Sequence, residues 1–348
     1  MSADNDDDLD TRGWDAINTA CERLYAKDGK VEPMHYGTII KYALGGPDPL
    51  DGVSIYRNGD HLHYVSFGLS ELYQKESANP EHSGWGCELT FRLRTNDVEP
   101  PKWPVSLMQN LARYVFDSGN VLHVNDHMSL NGPIRADDDT ALTAVLFARD
   151  PDLGVIDTPN GRVEFRQIVG VTSDELEAVC DWNTEKFLAA LQTLEPKWVT
   201  DLARPTVLES AAFRQQVEEG TARDGSSLGA NFVSQLTIDG TAPMTVTIPV
   251  FAVRALVRGL RGRLAFEREF RLFGPNETRL ALVPSLKDEV RASDDGPILA
   301  LTPATAQALA AALRPEPDRS EAEGETRLGT YRAASFGDVV IEVEPTKT

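Results

Sequence analysis

The chain has 348 residues, 41% of them hydrophobic and 25% charged, and its 54 acidic against 34 basic residues give a formal net charge of −20. That length is too great for one ordinary hydrophobic core and predicts two domains. The acidic field argues against direct nucleic-acid binding and would steer a basic partner inward. No apolar run approaches the ~20 residues of a membrane helix, and the acidic N-terminus lacks a signal-peptide pattern, so a soluble cytoplasmic protein is expected.

Residues 1–12 are acidic and read as disordered. Over 13–26, Trp14, Ile17, Cys21 and Leu24 recur at three- and four-residue steps, predicting an amphipathic helix with Asp15 in its first turn. Residues 45–49, Gly-Gly-Pro-Asp-Pro, form a rigid turn leading into strands. Between 87 and 94, Cys87, Leu89, Phe91 and Leu93 alternate with Glu88, Thr90, Arg92 and Arg94, the period of a strand with one buried face. Pro104 opens a helix presenting Leu107, Met108, Leu111 and Val115 on one side, and strands are predicted at 142–148 and 162–171. Thr172 with Glu175 makes a capping box ahead of a helix carrying Leu176 and Val179. A further helical stretch covers 184–193.

The polar, glycine-rich run 220–229 marks the boundary, giving an N-terminal domain over 13–222 and a C-terminal domain over 223–348. Beyond it, 244–248 alternates as a strand and Pro249 seats at the first turn of a helix bearing Val253, Leu256 and Val257. Strands are predicted near 264–273 and 279–283, and Thr302-Pro303 caps an alanine-rich helix to about residue 313. Residues 315–330 are acidic and polar and read as a disordered loop before a last strand around 338–343. Strands and helices mix without regular βαβ alternation, so the fold class is α+β, two mixed α/β sandwiches joined by a short hinge.

Little catalytic chemistry is spelled out. Cys21, Cys87 and Cys180 are isolated and odd in number, against a zinc site or a disulfide framework, and each sits among apolar residues as a small core side chain. His61 and His63 face one side of a strand, but zinc needs three or four protein ligands and no third stands at informative spacing. Asp126 and His127 are sequence neighbours and so point to opposite faces of a strand; Ser66 and Ser129 lack a nucleophile-elbow context. No glycine-rich phosphate loop occurs, Gly259-Leu-Arg-Gly-Arg263 is short, and Asp137-Asp138-Asp139 lacks the spacing of a calcium loop. No catalytic residue, metal site or cofactor is assigned. A hydrolase or metal-dependent enzyme built on His61, His63 and Asp126 stands as the remote alternative.

A series of motifs says more. It runs Gly-Trp-Asp-Ala-Ile at 13–17, Lys-Tyr-Ala-Leu-Gly-Gly-Pro-Asp-Pro-Leu-Asp at 41–51 and His-Tyr-Val-Ser-Phe-Gly-Leu-Ser-Glu-Leu-Tyr at 63–73. Gly-Trp-Gly-Cys-Glu-Leu-Thr-Phe-Arg-Leu at 84–93, Leu-Ala-Arg-Tyr-Val-Phe at 111–116 and Thr-Pro-Asn-Gly-Arg-Val-Glu-Phe-Arg-Gln-Ile-Val-Gly-Val at 158–171 continue it. In this order the motifs resemble the suppressor of fused family, with Leu-Arg-Gly-Arg-Leu at 260–264 and Gly-Pro-Ile-Leu-Ala-Leu-Thr at 296–302 extending the likeness.

The resemblance implies two α+β domains and a non-enzymatic binding function. Animal members sequester Gli transcription factors by holding an extended segment between the domains, where it adds a strand to both. The family's cleft tyrosine corresponds to Tyr114 and its aspartate to Asp126. Where animal members place a glutamate before Asp-Pro, this chain has Arg149, expected beside Asp126, where it would neutralise that carboxylate and argue against Gli-type recognition. In the second domain, backbone pairing is expected from about 230–236 and 250–256, with Val233 and Val253 at the partner. A long family insertion is replaced here by Asp239-Gly-Thr-Ala-Pro243, which resembles the compact bacterial branch, proposed to consist of immunity proteins that neutralise secreted toxins. The expected partner is thus a basic toxin domain or extended peptide; the alternative is an intracellular regulator of a transcription factor or another non-toxin protein.

Overall fold

A computed structural model of the chain describes residues 10–26, 32–38, 46, 48–313 and 334–344. Residues 1–9 of the segment 1–12 read as disordered, the loop at 315–330 and positions 45 and 47 of the predicted turn lie outside the described residues, whereas Arg12 already opens the first helix. Two compact units divide the chain, the first comprising 1–176 and 184–210, the second 177–183 and 211–348.

The first unit contains α1 (Arg12–Tyr25), β1 (Met34–Gly37), β2 (Gly52–Asn58), β3 (His61–Phe67), β4 (His82–Arg94), α2 (Trp103–Ser118), β5 (His127–Ser129), β6 (Leu142–Arg149), β7 (Val155–Thr158) and β8 (Gly161–Thr172), then the start of α3 (Ser173–Asp181) and all of α4 (Thr184–Leu191). Its sheet has the order β1-β2-β3-β4-β8-β6-β5, with β7 also on β8. Only β4 and β8 run parallel. Period-two alternation sorts the side chains between two apolar layers. Leu62, Tyr64, Cys87, Leu89, Phe91 and Leu93 pack with Leu107, Met108 and Leu111 of α2, while Val65, Phe67 and Phe165 pack with Ile17 and Cys21 of α1 on the other face. Each large apolar side chain so enclosed contributes roughly 1.5–3 kcal/mol.

The alternation at 87–94 predicts a strand with one buried face, yet Glu88, Thr90 and Arg92 are all 0% exposed. Helix α1 covers the face that polar alternation suggests is wet. The capping box forms as expected: the Thr172 N–H donates to Glu175 Oε2 at 3.0 Å and the Glu175 N–H to Thr172 Oγ1 at 3.4 Å. Arg204 clamps the same carboxylate through both Nη atoms, at 2.6 and 2.7 Å.

The second unit contains α5 (Ala211–Asp224), β9 (Ala230–Phe232), β10 (Thr237–Asp239), β11 (Met244–Pro249), α6 (Val250–Gly262), β12 (Phe270–Phe273), β13 (Arg279–Pro284), β14 (Glu289–Arg291), β15 (Ile298–Leu301), α7 (Pro303–Ala312), β16 (Ala334–Phe336) and β17 (Val339–Glu344). The boundary expected at 220–229 falls within this unit, because 211–224 is helical. Phe213, Val217 and Gly220, at steps of four and three, are its buried face. The strands form two mixed sheets, β10-β11-β17-β16 and β14-β15-β13-β12-β9. One apolar core joins them: Val246, Ile248 and Ile341 from the first, Phe270, Leu282 and Leu299 from the second, and Val253, Leu256 and Leu309 from the helices. Pro249 is the N-cap of α6, one residue outside the helix. The strand expected at 264–273 begins instead with a 3-10 turn at Leu264–Phe266, ended by Glu267 in the left-handed region, and only Phe270–Phe273 is extended. Thr302 caps α7 through its side chain, which accepts the Thr305 N–H.

Candidate partner-binding site

β5 closes one end of the eight-stranded sheet, paired to β6 on one side and to no other strand among the described residues. A tight turn precedes it. Asn125 takes the left-handed conformation that asparagine tolerates, its N–H donates to Phe147 O at 2.7 Å, and Phe147 N–H donates back to Asp126 O at 2.9 Å. The Asp126 carboxylate accepts the His123 N–H through Oδ2 at 2.7 Å, so the aspartate fixes its own turn. Its Oδ1 has no partner among the described residues. Tyr114, on α2, is 40% exposed, and its phenol likewise has no hydrogen-bond partner among them. Val115 and Leu122 share the apolar layer to which Met128 of β5 is packed, so this helix and this edge strand rest on one core.

Arg149 is not where the sequence reading puts it. Its Nε and Nη2 each lie 2.9 Å from Glu164 Oε1, and nothing joins it to Asp126. Glu164, unremarked in the sequence, is reached because it sits on β8, the strand adjacent to the end of β6; Arg166 binds its other oxygen at 3.0 Å. Burial would raise the Glu164 carboxyl, but Arg149 and Arg166 hold it below its ordinary range. The Arg149 guanidinium is therefore engaged by Glu164 and does not meet Asp126.

The turn after Arg149 is anchored by a buried network. Asp150 accepts from Arg92 Nη1 at 2.7 Å, Thr90 Oγ1 at 2.8 Å and His63 Nε2 at 3.1 Å, and from the N–H groups of Asp152 and Leu153 at 2.9 Å each. Burial works against its charge, yet His63 and Arg92 hold the carboxyl far below the usual carboxylate range. His63 in turn meets the Tyr25 hydroxyl at 2.5 Å through Nδ1. Burial and the Arg92 guanidinium push its imidazole down to about 4, so it is neutral at pH 7 and donates from Nε2.

The second unit offers its own free edge. β9 is the last strand of its sheet, paired only to β12 among the described residues. Phe232 is 80% exposed there and stacks on Phe273 with centroids 5.1 Å apart. Val233 and Val253, expected at the partner, are core residues at 6% and 2% exposure. The stretch expected to pair as far as residue 236 is extended only to Phe232, and 250–256 is helical, its backbone committed to α6. Phe232 and the half-exposed Phe251 are the side chains that sequence reasoning missed; an aromatic beside a buried valine was the available signal.

The other candidates do not assemble. His61 bonds Asp60 at 3.1 Å and is separate from the His63 network. Asp126 engages His123, and Ser66 Oγ donates to the buried Glu88 at 2.5 Å. No group of three or more metal-ligating side chains occurs among the described residues. The three cysteines are buried thiols in no disulfide, raised by burial to about 12 at Cys21 and Cys87 and about 11 at Cys180. No helix among the described residues is long and apolar enough to cross a membrane.

Comparison with known proteins places this geometry. Residues 46–205 match the family model for Suppressor of fused protein (SUFU). The Suppressor of fused homologs of Homo sapiens and Mus musculus are each 40% identical over 237 residues, covering 62% of this chain and 48% of theirs. The chain thus spans about half the length of the curated relatives it matches. A crystal structure of a Sufu-Fu complex contains a chain 33% identical, with a TM-score of 0.55, covering 61% of this chain and 98% of that one. Drosophila Suppressor of Fused, 22% identical, shares the fold over 97% of this chain and 98% of its own, with a TM-score of 0.78. The motif series, the eight-stranded sheet and these matches lead to one conclusion: the chain belongs to the suppressor of fused family.

Proposed function

We propose that this protein is a non-enzymatic binder that captures an extended partner segment by strand addition. The observation that carries the reading is the open edge of β5, preceded by Asp126 with a free carboxylate oxygen and resting on the same core as α2, which exposes Tyr114. Main-chain hydrogen bonds along the edge supply affinity, and the phenol and carboxylate supply selectivity. The edge of β9, with Phe232, serves as a second acceptor in the other unit. Val233 and Val253 support it from within the core, and Arg149 acts through Glu164.

The partner fitted by a −20 chain is a basic polypeptide, recruited faster at low salt. Neutralisation of a toxin in the cytoplasm by a compact, bacterial-type immunity protein is the role we favour. The Sufu-Fu complex, a pairing of a family member with another protein, favours a second role as regulator of an intracellular factor. Catalysis has little support: His63 is sealed, its ring nitrogens taken by Tyr25 and Asp150.

The test is to isolate the partner from the native organism and titrate it against the full chain. Tyr114→Ala and Asp126→Ala are each expected to weaken binding about tenfold or more, with melting unchanged. Undiminished affinity in both variants overturns the site. Affinity independent of ionic strength overturns the basic partner.

A further inference from the structure

A cavity of about 590 Å³ opens in the first unit beside the loop 68–77. Leu69 and Leu72 form its floor at 1% and 3% exposure, and Trp85 and Phe116 form an aromatic wall, edge to face with centroids 5.6 Å apart. Asp51, Glu71 and Glu76 bring three carboxylates to it, and none of its lining residues is Lys, Arg or His. Glu71 belongs to the framework. Lys75 Nζ at 2.8 Å and the N–H groups of Glu76 and Gly84 at 2.7 and 3.0 Å occupy its oxygens. Burial opposes its charge, but Lys75 and these amides bring the carboxyl down to about 2. The exposed carboxylate of Glu76 has no such partner among the described residues.

The cavity is held open in advance. Trp85 N–H donates to Leu69 O and Trp14 N–H to Leu72 O, both at 2.9 Å. Asn160 Nδ2 donates to Glu71 O at 2.8 Å and Tyr73 O at 2.7 Å, and Glu88 Oε1 receives the N–H groups of Gly68 and Ser70 at 2.9 Å each. A Cβ at Gly13 would lie 2.2 Å from Glu71 O, so α1 presses on the loop more closely than any side chain allows. A site fixed in this way loses little entropy when a ligand arrives.

We propose that this cavity binds an arginine or lysine side chain presented by a polypeptide. Aromatic faces attract cations, more strongly where water is partly excluded, and the exposed Glu76 carboxylate at the rim selects positive charge and rejects anions. The cavity is larger than one such side chain fills, which leaves room for flanking residues and favours a peptide over a free amino acid. The site stands on its own residues and does not depend on the strand-edge reading.

The probe is the peptide acetyl-Gly-Arg-Arg-Gly-amide, titrated into the full chain while the Trp85 indole N–H is followed by NMR and assigned through Trp85→Phe. A saturable Trp85 shift is expected, about tenfold weaker with the citrulline analogue, and weakening several-fold between about 50 and about 300 mM salt. Glu76→Gln is expected to lower affinity roughly threefold without changing the rest of the spectrum, which a merely structural role for Glu76 would not do. Absence of a saturable shift overturns the proposal. So does equal binding of the citrulline peptide, which marks an apolar pocket only, and so does equally tight binding of free arginine, which reassigns the site to a small cation.

Discussion

The two units solve the problem of a core in different ways. Among the described residues the first unit buries Glu88, Arg92, Asp150, Arg166, Glu175 and Arg204, while the second comes nearest with one charged side chain, Arg258, 8% exposed and paired to Glu177 and Asp181. An apolar core is forgiving, because volume-conserving changes cost little and only exact jigsaw fit is lost. A buried charge has one satisfactory geometry, since moving it from its partners leaves it desolvated and unpaired. The charges of the first unit lie where the chain carries its candidate chemistry: Asp150 immediately follows Arg149, and Glu88 holds the loop beside the aromatic cavity. Burying ions contributes little to stability in itself; here it fixes the backbone on which exposed groups are displayed.

The severest way to break this comparison is Arg92→Met. It removes the cation from a carboxylate that is 1% exposed and is expected to cost about 3–5 kcal/mol in the unfolding of the first unit, read by urea denaturation. A loss under about 1 kcal/mol would mean that Asp150 is satisfied by Thr90, His63 and the backbone without Arg92. The counterpart in the second unit is Val253→Ala, expected to cost roughly 2 kcal/mol through lost burial and a small cavity. An unchanged midpoint with weakened partner binding would move Val253 back to the surface.

Much of this was legible in the sequence, and the failures share a cause. Helices α1, α2 and α7 follow from apolar periodicity and caps, and Thr172 with Glu175 names the start of α3 because a capping box is a local device. The polar alternation at Glu88, Thr90 and Arg92 is misleading because it reports period, not what covers the second face. Helix α5 escapes notice because its apolar face is only Phe213 and Val217, flanked by residues that also make linkers. Tyr114 and Asp126 are placed by family motif; their burial and partners depend on tertiary neighbours. Arg149 shows this best: its partner lies 15 residues away on an adjacent strand, beyond any local pattern.

The buried titratable groups sharpen the comparison through pH. His63 drops from 6.5 to about 4, chiefly by burial, so between those values the unfolded chain binds more protons and stability rises with pH. Glu88 rises from 4.5 to about 7, again by burial, so between those values the folded chain holds the extra proton and stability falls with pH. From pH 4.5 to 6.5 the two oppose each other, each by up to ~1.4 kcal/mol per pH unit, and the first unit is expected to show a nearly flat profile. Glu88→Gln removes one side of the balance and should leave stability climbing with pH across that window. His35 and His61, also lowered by burial, add to the His63 side, and Glu195, raised by burial, adds to the Glu88 side. Asp150 enters only in more acid solution: its lowered value supplies stability above the unfolded pKa that is lost as pH falls. A wild-type profile that already climbs with pH across that window, and that Glu88→Gln leaves unchanged, would show that the carboxyl is ionised in the folded state, held so by its four donors from Ser66, Gly68 and Ser70.

The smallest expected changes in stability are at the exposed edges. Tyr114→Ala and Phe232→Ser should each shift the unfolding free energy by less than about 0.5 kcal/mol, as surface substitutions do. Their effects on partner affinity separate the units. Strand addition at β5 alone predicts a loss of about tenfold or more for Tyr114→Ala and almost none for Phe232→Ser. Engagement of both edges predicts a loss in each single variant. Where both losses occur, the double variant then reads their independence: additive free energies mean two separately held stretches of partner, whereas a shortfall beyond about 0.5 kcal/mol means that one bound segment couples them. A Tyr114→Ala chain that melts early instead would place the phenol in the core and leave Asp126 as the group to probe at the β5 edge.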